Sequence, residues 1–392
     1  MATVRKRQWT NKSGTHEAWV LAYTDKKGQR HKEQFAKKRD ADTKRVEVEG
    51  QIRKGTFRAD AANTSVADAA AEYVKHIEGR HRRDEKITAL YLKTTKAHIA
   101  NYIAPSDDQN VDFEGGIGSV KLAELSARAV GKFRDSLRDA GVSVPTTRAI
   151  LGTLSRVLSY AVSEDLVAVN AAAGIKVIGK RDEGTEKVVP PSKAALAAVL
   201  KAADADSRVK LMFAAASGLR ASELHALPWR NLDLANGEVT VDRRVDAFGN
   251  LDVTKSKAGK RAVPLGTPVV AALKEWRLRS KFSKDDDLVF PNTLGGFTPH
   301  TRMMKRKFRP LLADVAAKEK EEGRKFVPFG WHGLRHFAIS TWIEAGLQPK
   351  TVQTFAGHST LAVTMDRYGH MFPSDDHKSV MDGIAAAVFG GA

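Results

Sequence analysis

The sequence predicts a multidomain protein: a small β-sheet plus helix at the N-terminus, an all-α middle domain, and a mixed α+β, mainly helical C-terminal domain. Two changes of hydrophobic period predict it. Short alternating runs fill the first 35 residues, helical spacing runs from Val66 to Val162, and a strand-rich island interrupts the helices that follow. A third observation separates the last two domains. The stretch GIKVIGKRDEGTEKVVPP is charged, glycine-bearing and closed by a proline pair, so residues 177–191 read as a linker.

Composition bounds the partners. The 392 residues are 42% hydrophobic, with no apolar run near the ~20 residues that span a bilayer, and MATVRKRQW has no apolar stretch of the kind that follows a secretory n-region. There is no cysteine, which excludes disulfides, thiolate zinc sites and cysteine nucleophiles. A formal charge of +18 favours a polyanion, most simply nucleic acid.

Residues 1–60 hold 16 Lys and Arg against 8 Asp and Glu, a net +8. Strands are predicted at VRKRQW, EAWVLAYTD and RHKEQF, the last two joined across the turn-prone DKKGQ, and a charged helix from Lys37 to Lys54. Residues 63–176 then read as four helices. Ser65 caps a first helix bearing Val66, Ala70, Tyr73, Val74 and Ile77 at helical spacing. ITALYLKTTKAHIANYI forms the second, ARAVGKFRDSLRDAG the third with Ser126 as cap and Gly141 as stop, and PTTRAILGTLSRVLSYAV the fourth, with Pro145 at its start.

Residues 192–392 carry the candidate chemistry. In ASGLRASELHALPW, Arg220 follows a Ser-Gly break and precedes a helix expected to carry Leu224 and Leu227. A guanidinium fork there can hold two phosphate oxygens, as lysine cannot, while Glu223 either braces it or belongs to a separate surface pair. In TKSKAGKRAVPL, Lys257 falls at a turn between two strands, where an ammonium can protonate a leaving alkoxide; spacing alone does not choose it over Lys255, Lys260 or Arg261. In GWHGLRHF, His332, Arg335 and His336 share a helical face if a helix begins there. A zinc pair at His332 and His336 is disfavoured, because Gly333 stands where a zinc protease needs its glutamate. FAGHST supplies His358, and VTMDRYGHMF supplies Tyr368, a phenol that can react or simply pack.

In order, GLRASEL, TKSKAGKRAVPL, HGLRH, AGHS and TMDRYGH resemble the five successive motifs of the tyrosine recombinases, specifically the phage-type integrases. The resemblance spans the whole catalytic half, and the two modules before it resemble the family's arm-binding and core-binding domains. It implies that Arg220 and Arg335 clamp the scissile phosphate, that Lys257 is the β-hairpin lysine, and that Tyr368 is the nucleophile. His332 would assist proton transfer, and His358 would hydrogen-bond a nonbridging oxygen. It also implies double-stranded DNA attachment sites as substrate, a homotetramer on paired sites, accessory DNA-bending or directionality proteins as partners, and a cytoplasmic, nucleoid-associated location.

The chemistry is coherent without the name. A phenol of pKa about 10 is protonated at neutral pH, so attack needs a base or cationic stabilisation. Two arginines and a histidine supply fixed donors for the phosphoryl oxygens, so neither metal nor cofactor is expected. Type IB topoisomerase chemistry and a catalytically silent DNA-binding protein are the alternatives. The tail DHKSVMDGIAAAVFGGA places Val380, Ile384 and Val388 at helical spacing, a short apolar helix that needs a groove on its own domain or on a neighbour.

Overall fold

A computed structural model of the chain describes residues 2–11, 14–25, 28–105, 113–179, 188–253, 259–372 and 377–389. They divide into two compact units, Met1–Glu183 and Gly184–Ala392.

The first unit opens with β1 (Thr3–Asn11), β2 (Gly14–Thr24) and β3 (Arg30–Phe35), an antiparallel sheet in that order. The expected helix is α1, Lys38–Lys54. Its Val48 packs with Ala2, Leu21 and Tyr23 in a small core, and Gly55 ends it in the left-handed conformation. The lysines and arginines that give this segment its charge stay mostly at the surface, since so small a core has no partners for them.

The helical part comprises α2 (Val66–Arg82), α3 (Ala89–His98), α4 (Ala127–Asp139) and α5 (Val144–Ser163). Ser65 and Asp68 form a reciprocal capping box: the Asp68 amide donates to Ser65 Oγ at 3.1 Å and the Ser65 amide to Asp68 Oδ2 at 2.8 Å. Ser126 caps α4 as expected, while α5 begins one residue before Pro145, on the cap Ser143. The second helix is shorter than its sequence suggested. Thr88 caps α3, and its C-terminal part relaxes into a single π turn, Ile99–Ile103. Val66, Tyr73, Ile77, Phe133, Leu137, Leu151, Leu154 and Leu158 meet in one core, which is where the predicted periodicity pointed them.

In the second unit α6 (Lys193–Ala202), α7 (Ala205–Ser217) and α8 (Ala221–Leu224) precede the strands. The helix after Arg220 is only a single turn, and Leu227 lies beyond it. Pro228 disfavours the helical region for the residue before it, so the helix ends short of Leu227, which still packs into the larger core. β4 (Leu232–Asp233), β5 (Glu238–Val241) and β8 (Arg261–Pro264) form one antiparallel sheet; β6 (Arg243–Val245) and β7 (Leu251–Val253) form a separate ribbon. Helices α9 (Thr267–Arg279), α10 (His300–Met303), α11 (Arg309–Glu321), α12 (His332–Glu344), α13 (Pro349–Ala356), α14 (Leu361–Tyr368) and α15 (His377–Phe389) complete the unit.

Two cores organise these helices. The larger gathers Phe213, Leu224, Trp229, Val239, Val263, Phe308, Trp331 and Leu334; the smaller gathers Ile339, Ile343, Val352, Ala356 and Tyr368. The site lies where α7, α12, α13 and α14 converge. On α15, Met381, Ile384 and Phe389 are exposed, whereas the side chains of Val380 and Val388 lie outside the described residues. Among the described residues no helix is long and apolar enough to cross a membrane.

Candidate active site

The end of α13 organises the site. The last carbonyls of a helix have no intrahelical partner, and here three consecutive ones each accept from a different arginine. Phe355 O accepts from Arg261 Nε at 2.7 Å, Ala356 O from Arg335 Nη2, and Gly357 O from Arg220 Nη2 at 2.9 Å. Gly357 permits this turn by taking φ +63°, and a Cβ there would stand 2.9 Å from Arg261 Nη1. The partial negative charge at the helix end suits three cations gathered around it.

Glu223 is the second anchor. Its carboxylate accepts from Arg220 Nη1 and from the Arg220 amide, each at 2.8 Å, and from Arg261 Nη1 at 3.2 Å and Nη2 at 2.8 Å. Of the two roles the sequence left open for Glu223, the brace is the one it performs. Burial alone would raise its carboxyl; the hydrogen bonds and charge of Arg261, with the charge of Arg220, overcome that and hold it at about 2. Arg261 is thereby buried and committed, which removes it from the basic residues available between β7 and β8, strands that pair with β6 and β5 rather than with each other. Lys260 is exposed, and Lys255 and Lys257 lie outside the described residues.

Helix α12 begins at His332, so His332, Arg335 and His336 do share its first turns. Arg335 is buried, donating from Nη1 to Gly218 O at 2.7 Å as well as to α13. Burial, and then the charge of Arg220, lower it to about 9 despite the opposing pull of Glu223. Gly218 closes α7 at φ +60°, where a Cβ would strike Trp342 at 2.8 Å, so glycine is required for α7 to end against α12. Arg220, with its side chain 39% accessible, is the arginine of the cluster that faces solvent most openly.

Tyr368 ends α14 and is 1% exposed. Its ring stacks on that of His358, with centroids 6.2 Å apart and planes 17° from parallel. Thr364 fixes His358 through Nδ1 at 2.9 Å, and burial together with the charges of Arg335, Arg220, Arg367 and Arg261 lowers that imidazole to about 3. Burial raises the Tyr368 phenol, while Arg335 and Arg367 pull it back. It is His336 that meets the hydroxyl, with Nδ1 and Oη 2.5 Å apart. Sequence reasoning weighed His336 only as a metal ligand; the signal it passed over was that i+4 from His332 turns toward α14. His332 is exposed, with its ring centroid 4.6 Å from that of His336, and desolvation plus Arg335, Arg367 and Arg220 lower its pKa.

The structure thus brings together Arg220, His332, Arg335, His358 and Tyr368, with Glu223, Arg261 and His336 added: a cluster of arginines and a phenol beside a neutral imidazole. Residues 191–374, reaching just past the tyrosine, match the phage integrase family. A XerC-like tyrosine recombinase of Caldanaerobacter subterraneus is 24% identical over 371 residues, covering 88% of each protein, and the ICEBs1 integrase of Bacillus subtilis is 22% identical, covering 71% of this chain and 72% of its own. Among solved structures, the Tn1549 transposon integrase in complex with transposon right end DNA superposes with TM-score 0.65 at 18% identity, covering 82% of this chain and 100% of that one. A lambda integrase dimer bound to a core site does so with TM-score 0.56 at 15% identity, covering 94% and 97%; both likenesses speak to the fold. With the family match lying across the arginine cluster and the buried tyrosine, residues 191–374 are the phage integrase segment of a tyrosine recombinase, an enzyme of site-specific recombination.

Proposed function

We propose that the protein integrates or excises a mobile element, cutting and rejoining DNA through a 3′-phosphotyrosyl intermediate formed on Tyr368. Arg220 and Arg335 clamp the scissile phosphate, His358 donates to a nonbridging oxygen through the ring nitrogen that Thr364 does not hold, and Lys257 protonates the departing 5′ oxygen. His332 assists proton transfer from the exposed side. The observation that carries this reading is the row of three carbonyls at the end of α13, which holds Arg220 and Arg335 on one framework beside a buried phenol. Fixed cations of this kind stabilise charge developing on phosphoryl oxygens without reorganising during the reaction.

The phosphotyrosyl bond keeps the energy of the broken ester, so a DNA hydroxyl can attack it and reseal the strand without ATP. In domain terms, residues 1–60 serve as an arm-type DNA-binding domain and 63–176 as a core-binding domain; 177–191 are a linker, and 192–392 the catalytic domain. A homotetramer on paired duplexes is the working assembly, supported by the lambda integrase tetramer bound to a Holliday junction, whose fold this chain shares with TM-score 0.52. Accessory DNA-bending or directionality proteins, and a cytoplasmic, nucleoid-associated setting, belong to the same reading.

A topoisomerase of type IB would use the same nucleophile within one duplex. Similarity to recombinases that extends well before the catalytic segment favours recombination. Supercoiled-plasmid nicking followed by a two-site recombination assay tests the choice. Recombinant product is expected; relaxation without it would favour the topoisomerase, and neither would mark a silent DNA-binding protein.

A further inference from the structure

We propose that His336 is the general base of DNA cleavage, taking the Tyr368 hydroxyl proton on Nδ1 as the phenolic oxygen bonds to phosphorus. This rests on Tyr368 being the nucleophile and adds to it the destination of the proton. The two atoms already stand 2.5 Å apart, within hydrogen-bond reach of each other.

For Nδ1 to accept, the ring proton must sit on Nε2 and the imidazole must be neutral. Its surroundings arrange that. Burial acts first, then His332 and Arg335 from its own helix and Arg367 from α14, lowering His336 to about 4. His358 stacks on the other side of the same tyrosine and is held neutral too, but its Nδ1 is engaged by Thr364. His336 is therefore the histidine whose nitrogen is committed to the reacting oxygen.

A full proton transfer before attack would be strongly unfavourable, because burial raises the phenol above its ordinary value while the imidazole is lowered to about 4. The transfer must accompany bond formation, when the oxygen loses its basicity in becoming an ester. The arriving phosphate also brings negative charge against Arg335 and Arg367, two of the cations that depress the imidazole. In the step, the Tyr368 Oη–P bond forms and the P–O5′ bond breaks. Its electron pair leaves on O5′, which takes a proton from Lys257, and the phenolic proton resides on His336. Rejoining runs the same path backward: the 5′ hydroxyl attacks phosphorus, and the imidazolium returns its proton to the departing phenoxide.

The test uses the full chain on a nicked suicide duplex bearing its core site, with DNA binding and covalent adduct measured separately. His336→Asn places an amide near the position of Nδ1, able to hydrogen-bond and unable to take the proton. Binding should be unchanged and adduct formation slower by ~10²- to 10⁴-fold. The acid limb of the wild-type pH–rate profile should vanish in the variant. Trifluorotyrosine at position 368, a more acidic phenol, should recover part of the lost rate, and added imidazole should do so for His336→Ala. Wild-type rates in His336→Asn, or an unaltered acid limb, would overturn the assignment of His336 alone. An adduct persisting in Tyr368→Phe would overturn instead the reading on which it rests, so the two failures are distinguishable.

Discussion

Arg261 and Glu223, 38 residues apart in sequence, are joined by two hydrogen bonds in a pair that is almost wholly inaccessible to water. Glu223 also holds Arg220, so one carboxylate orders an arginine of the core and an arginine of the surface. Removing it leaves Arg261 as an unpaired buried charge, which costs about 3–5 kcal/mol. Glu223→Ala should lower the thermal midpoint of the catalytic unit and weaken cleavage even where the protein remains folded. Glu223→Gln, which keeps part of the hydrogen bonding, should fall between. Chemical denaturation alongside adduct formation measures both effects.

Acid lability should begin above the carboxylate range. His336, His358 and His225 are held at about 4, 3 and 2, each below the ordinary 6.5, with burial the leading cause. A histidine depressed in the folded state contributes stability that is complete above the unfolded value and is lost as pH falls toward the folded one. Stability should therefore decline from about pH 6.5 downward, with Glu223 joining below about 4.5. His225 is 3% exposed and neither ring nitrogen has a hydrogen-bond partner among the described residues. His225→Leu should consequently flatten the slope between pH 6.5 and 4 in denaturation experiments; an unchanged slope would count against His225 as a source of it.

Gly357→Ala should damage activity more than stability suggests. Backbone strain at φ +63° costs roughly 1–2 kcal/mol, and the new methyl would press on the Arg261 guanidinium. Displacement of that group disturbs Glu223 and with it Arg220. The expected result is a modest drop in melting temperature together with a much larger drop in cleavage rate, DNA binding being largely retained.

Lys257→Ala should bind DNA and cleave ~10²- to 10⁴-fold more slowly, as expected for loss of a general acid. Replacing the bridging 5′ oxygen by sulfur gives a leaving group that needs no proton. It should rescue Lys257→Ala but neither Tyr368→Phe nor His336→Asn. Failure to rescue would move the role to Lys255 or Lys260.

Deleting residues 1–60 removes a net +8. Covalent cleavage of a core site should survive, while full recombination weakens and the dependence of affinity on salt becomes shallower, because fewer counterions are released. Unchanged affinity and salt slope would exclude DNA binding by this module.

What was legible in the sequence was local. The caps Ser65 and Ser126 follow from the sequence, because they depend on neighbours within a few residues, whereas a helix start at His332 entered only as a condition. Arg220, Arg335, His358 and Tyr368 were legible as motif residues. The roles of Glu223, Arg261 and His336 were not, since each depends on a partner 32 to 38 positions away or on which side of a helix faces another. Leu227 was misplaced for the opposite reason: a local rule about Pro228 outweighed an apolar pattern.

The row of acceptors at Phe355, Ala356 and Gly357 means that three mutually repelling guanidinium groups share one mechanical mounting. Were α13 to fray by its final turn, all three would lose an acceptor at once, leaving Arg220 and Arg261 to Glu223 and Arg335 to Gly218 O. The three should therefore loosen together, and any contact that stiffens or loosens this single helix end would act on catalysis without touching DNA.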